Sequence, residues 1–115
     1  MSGFVTEEIA IAISGTEGTC TIPRGCRLVG LFLPSLDSTQ VTPQLSFDGT
    51  TYKAVYDGAG TQILIGGSAN TGDRWVTAPD ALQLIVGGAQ KLKLVVASQT
   101  TAARTIRAVF AQGAR

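Results

Sequence analysis

The sequence predicts an all-β domain, an antiparallel β-sandwich of jelly-roll type with about eight short strands and at most one short helix. Three observations carry this. Apolar and polar residues alternate with period two along most of the chain, as in strands with one face in a core. Turn signals rich in Gly, Asp, Asn and Pro return every 8 to 12 residues. At 115 residues and 11.9 kDa the chain has room for one core, so a single domain is expected over 1–115.

The elements follow in order. Ile9, Ile11 and Ile13 alternate with Glu8, Ala10 and Ala12, which marks a strand with one face inward and small residues on the other. Gly15 to Gly18 ends it, and residues 1–8 before it read as a candidate N-terminal arm. Thr19 to Ile22 is a short strand, turned by Pro23-Arg24-Gly25. Arg27 to Leu33 is apolar at nearly every position and should be covered on both faces, either by lying centrally or by meeting a partner. Gln40 to Phe47 puts Val41, Pro43, Leu45 and Phe47 on one face, and Pro43 argues for an edge strand or a bulge because proline donates no ladder hydrogen bond.

Asp48-Gly49 is a hairpin signal. A two-residue loop would pair Phe47 with Thr50, and a four-residue loop would pair it with Tyr52. Both registers place Tyr52, Ala54 and Tyr56 on the Phe47 face, toward the core. Asp57 to Gly60 is a second turn, leading to a strand with Ile63 and Ile65 inward. Gly66 to Asp73 is a polar loop before the short strand Arg74 to Thr77, which carries the single tryptophan, Trp75. Pro79, Asp80 and Gly87 bracket a short helix, although "QLIVGGA" at 83 echoes the strand-like "QILIGGS" at 62 and leaves a strand as the alternative. Lys91 to Ala97 and Arg104 to Ala111 complete the set, with Ile106, Ala108 and Phe110 inward and 107–115 a candidate contact tail.

Composition narrows function by exclusion. Histidine is absent, which removes the commonest general base and metal ligand and rules out Ser-His-Asp and Cys-His triads. The aspartates fall in turns, where their side chains serve the backbone, and no phosphate-binding glycine motif occurs. The expectation is a protein without catalytic residues, metal or cofactor. Net charge is +1, with scattered basic residues and no aromatic-interleaved basic stripe, so nucleic acid is not an expected partner. The longest apolar run, Leu28 to Leu33, is strand length, so no membrane helix is expected.

What the composition does show is scarcity of charge: 15% of residues are charged, against about 25% in ordinary soluble domains, with a mean hydropathy of +0.26. Part of the surface is therefore expected to meet other chains, although Thr, Ser, Gln and Gly offer a neutral way to solvate it. The interface candidates are Phe4, Val5, Leu28, Phe32, Trp75, Arg107 and Arg115. Cys20 and Cys26 flank a five-residue turn segment. Met1-Ser2-Gly3 runs into Glu7-Glu8 without a basic or apolar leader, so a reducing compartment and two free, buried thiols are expected, with a bridge between them as the alternative.

Taken in order, "CTIPRGCRLVGLFLPSL", "VTPQLSFDGTTYKAVYD", a Gly-Gly polar loop, "KLKLVVAS" and "AARTIRAVF" resemble small β-sandwich proteins of tailed-phage virions that coat or decorate the capsid. The resemblance spans roughly residues 20–111. It implies a cement protein outside the major capsid protein, self-associating as a trimer or pentamer, or else a head-spike or tail-fibre base. Its place would be the capsid exterior, after synthesis in the host cytoplasm. The hairpin "SFDGTTYKAVYD" with the late strand "KLKLVV" is also similar to the discoidin-type galactose-binding jelly roll. That likeness implies a sugar site from Tyr52, Asn70, Asp73 and Trp75. The chain is short for that family and lacks its disulfide pattern and basic aromatic loops.

Overall fold

The computed structural model describes residues 3–36, 40–65, 73–79, 82, 86, 88–97, 99–100 and 102–112. Eight strands form: β1 Phe4–Ile11, β2 Glu17–Thr21, β3 Cys26–Leu33, β4 Thr42–Ser46, β5 Lys53–Ala54, β6 Arg74–Thr77, β7 Lys91–Val95 and β8 Arg104–Gln112. They make two four-stranded antiparallel sheets, ordered β1-β8-β3-β6 and β2-β7-β4-β5. The pairing is nested, first strand with last, second with seventh, third with sixth and fourth with fifth. A long antiparallel strip wound into two layers in this way is a jelly roll.

Alternation along each strand sets the core between the layers. Ile9 and Ile11 from β1, Leu28, Leu31 and Leu33 from β3, and Ile106, Ala108 and Phe110 from β8 are fully buried. They meet Cys20, Leu45, Leu92 and Leu94 from the second sheet, with Val41, Val55, Ile63 and Ile65 closing one side. Each large side chain so buried contributes about 1.5–3 kcal/mol. Leu82 and Val86 are also fully buried; the remainder of the helix expected around them lies largely outside the described residues.

Within the described residues, 4–8 of the expected arm and 107–112 of the expected tail are sheet strands. Residues 4–11 form β1, paired along its full length with β8, from Phe4 opposite Ala111 to Ile11 opposite Arg104. β8 is an interior strand between β1 and β3, because Ile106, Ala108 and Phe110 supply the apolar alternation that an interior position rewards. The first strand also ends sooner than its isoleucines suggested. Ser14 has a φ of 65°, and the turn it makes leaves Ile13 exposed.

β3 is covered by lying centrally, between β8 and β6. It carries a bulge between Leu28 and Gly30, so that Leu28 and Leu31 both face inward. β4 is likewise interior, between β7 and β5, and not an edge. Pro43 is tolerated there because Val41 exchanges both hydrogen bonds with Ile65 on the β5 side. By alternation Pro43 turns its missing donor to that same side, beyond the end of β5.

The largest correction concerns the hairpin. Gln44 pairs with Ala54 and Leu45 with Lys53, one residue off both expected registers, and such a slip exchanges the two faces. Val55 is buried, whereas Phe47 and Tyr56 are 53% and 58% exposed and Tyr52 is half-buried. The cause is a turn of intermediate width keyed on Ser46, which is fully buried. Its Oγ accepts from the Gly49 N–H at 2.8 Å and donates to Asp48 at 3.0 Å.

Candidate binding face

The outer face of the β1-β8-β3-β6 sheet is assembled by register. Phe4, Ala111 and Arg27 make one row across it. Thr6, Val109, Gly30 and Thr77 make the next, and Glu8, Arg107, Phe32 and Trp75 the third. Gly30 supplies no side chain, so an open groove runs over it, walled by Phe4, Val29, Trp75, Thr77 and Val109. Phe4 is 73% and Trp75 66% exposed. Trp75 is held by an edge-on contact with Phe32, ring centroids 5.1 Å apart and planes at 63°, a pairing worth about 0.5–1.5 kcal/mol beyond area burial.

No charged side chain lines the groove over Gly30. On the neighbouring row Arg107 Nε sits 3.7 Å from Glu8 Oε2, both exposed, so the pair adds little to stability. Four of the seven expected interface residues, Phe4, Phe32, Trp75 and Arg107, share this surface. Val5 does not: it belongs to the inward-facing set of β1 and is half-buried. Leu28 is fully buried core, because the bulge that follows it turns the neighbouring Val29 outward instead. Arg115 lies outside the described residues.

The residues proposed for a sugar do not converge. Tyr52 lies under the Lys93 ammonium, 4.3 Å from the ring centroid. Lys93 also pairs with Glu17 at 3.3 Å, on the outer face of the second sheet. Trp75 faces out from the opposite sheet. Asp73 accepts the Ser35 N–H at 3.0 Å and is committed to the chain's own loop; Asn70 lies outside the described residues.

A second surface escaped the sequence reading. Phe47 and Tyr56 flank a cleft with Asp48, Thr51, Lys53 and Val55. Asp48 holds its turn together: Oδ1 accepts from the Thr50 and Thr51 N–H groups, each at 2.8 Å. These amides, Thr51 first, and the Ser46 hydroxyl keep its carboxyl well below the usual carboxylate range. The signal was in "SFDGTT", a Ser two residues before the Asp with two Thr after the Gly, which is a side-chain-capped turn and not a two-residue one.

Both cysteines are free and buried. Burial, then the nearby Glu7 carboxylate, push the Cys20 thiol up to about 12, against a smaller opposite pull from Lys91. That thiol is inert at neutral pH. Among the described residues no group of three or more His, Cys, Asp or Glu side chains could hold a metal ion, and no helix is long and apolar enough to cross a membrane.

Fold and face together define a jelly-roll domain with an apolar, aromatic-rimmed sheet surface. Comparison with protein-family models, curated proteins and solved structures gives no match.

Proposed function

We propose that this chain is a non-enzymatic structural protein that decorates the outside of a tailed-phage capsid, bound to the major capsid protein through the outer face of the β1-β8-β3-β6 sheet. The observation that supports this is the exposure of Phe4 and Trp75 around an uncharged groove on a regular sheet. Aromatic residues on a rigid, weakly charged surface are what anchors protein interfaces. Jelly rolls serve in viral coats and in lectins alike, so the fold itself leaves the role open. The scattered positions of Tyr52, Asp73 and Trp75 favour the coat over the lectin, and the sequence likeness points to a capsid. Many copies, each held modestly, would reinforce a lattice by multivalency.

The test is co-sedimentation of the purified chain with expanded, undecorated capsid shells encoded in the same genome. Stoichiometric binding is expected, weakened at least tenfold by Trp75→Ala or Phe4→Ala in variants whose circular dichroism is unchanged. Absence of binding, or binding indifferent to both substitutions, overturns the proposal.

A further inference from the structure

The two outermost strands of the β1-β8-β3-β6 sheet are complementary to each other. Gln112 N–H donates to the Gly3 carbonyl. By antiparallel alternation Val5, Glu7 and Ile9 then bond to β8, while Phe4, Thr6 and Glu8 turn their N–H and C=O groups to the open edge. At the other edge Ala78 N–H donates to Val29 C=O. Val76 and Arg74 therefore bond to β3, and Trp75 and Thr77 turn theirs outward. Among the described residues nothing pairs with either edge. On β1 the Ala10 end is covered by β2, since a Cβ on Gly18 would stand 2.5 Å from the Ala10 oxygen.

The charges divide in the same way. On the side where β1 packs against β2, the edge strands carry Glu7, Glu8 and Glu17 and no base. On the far side β6 and β5 carry Arg74 and Lys53 and no acid. Four antiparallel strands also leave β1 and β6 running in opposite directions, so a translated copy presents β1 antiparallel to β6.

We infer that copies of this chain join head to tail, β1 of one adding to β6 of the next as a continuous antiparallel sheet. One register satisfies every constraint at once. With Glu7 opposite Arg74 of the neighbouring copy, the edge-facing Thr6 and Phe4 fall opposite Trp75 and Thr77 as hydrogen-bonded pairs. Val5 then meets Val76 on the inward side. Phe4 lies diagonal to Trp75 on the outward side, within reach for aromatic side chains. The two exposed aromatics thus close over one joint, and half-buried Val5 gains a second cross-strand neighbour beside Phe110. A two-fold β1–β1 pairing centred on Thr6 would instead set Glu8 opposite Phe4 and Glu7 opposite Val5, leaving the glutamates without a base. A head-to-tail contact is heterologous, and it closes into a ring or continues as a filament.

The joint is tested without any capsid, so its failure is distinct from failure of the decoration reading. Sedimentation equilibrium is run up to about 1 mM, the effective concentration that neighbouring lattice sites impose. Association is expected, reduced at least tenfold by Glu7→Arg or Arg74→Glu alone and recovered when both are placed in one chain. Independently, Val5→Cys and Val76→Cys proteins are mixed under mild oxidation; native Cys20 and Cys26 are buried. A disulfide dimer should form from the mixture and not from either variant alone. A monomer at every concentration, association indifferent to both charge reversals, or cross-linking of Val5→Cys with itself overturns the inference.

Discussion

Asp48 shows how one residue can decide a face. Its carboxylate gathers the Thr50 and Thr51 amides and the Ser46 hydroxyl, so the register falls between those of a two-residue and a four-residue loop, and Val55 replaces Tyr56 in the core. The stabilisation has a defined pH signature. A carboxyl held below its unfolded value stabilises above that value, about pH 4, and loses the effect as pH falls toward its folded value. Asp48→Asn should therefore lower the urea midpoint at neutral pH, and the deficit should narrow at about pH 3. An equal deficit at both would refute the account. The Asp-Gly turn was legible in the sequence; its width was not, because it depends on Ser46 turning inward, against the alternation of its own strand.

At the scale of elements, strand positions follow from which residues can be covered from both sides. β3 and β8 were readable as apolar strands, and each became interior. The face assignments hold in β7 and β8, and in β1 as far as Ile11, because the alternation there is regular. They fail near Leu28, where a bulge resets the phase, and a bulge has no alternation signature of its own. Gly30 next to it is required by close approach: a Cβ there would stand 2.6 Å from the Val76 carbonyl oxygen on β6. Since backbone must move to admit it, Gly30→Ala should cost about 1–3 kcal/mol, measured by equilibrium urea unfolding. The same substitution would raise the floor of the groove. Trp75 stands out in the sequence by its rarity, but its place on one face with Phe4 required knowing that β1 and β6 bound the same sheet.

For the whole molecule, the exposed surface is 6110 Å² and the radius of gyration 13.3 Å, close to the roughly 6,000 Å² and 13 Å expected of a compact chain of this length. The scarcity of charge is therefore not a sign of extended arms. Of the exposed large hydrophobic side chains, Phe4 and Trp75 share the β1-β8-β3-β6 sheet, while Phe47 and Tyr56 border the second cleft and Ile13 and Leu64 stand apart in turns and loops. Nested pairing also ties the start of the chain to its finish. Removing 104–112 takes the interior strand from between β1 and β3 and with it Ile106, Ala108 and Phe110. A chain ending at 103 should lack a cooperative thermal transition; one that retained it would contradict the β8 assignment.

That first-to-last pairing has a practical corollary. Gly3 and Gln112 share a hydrogen bond, so the polypeptide enters and leaves the globule at one spot. A short peptide bridge could tie the two together with little entropy lost to closure, and new ends could be cut at an outlying bend such as Asp57 to Gly60. Anything fused to either extremity would project from that single corner, clear of the aromatic groove's far wall.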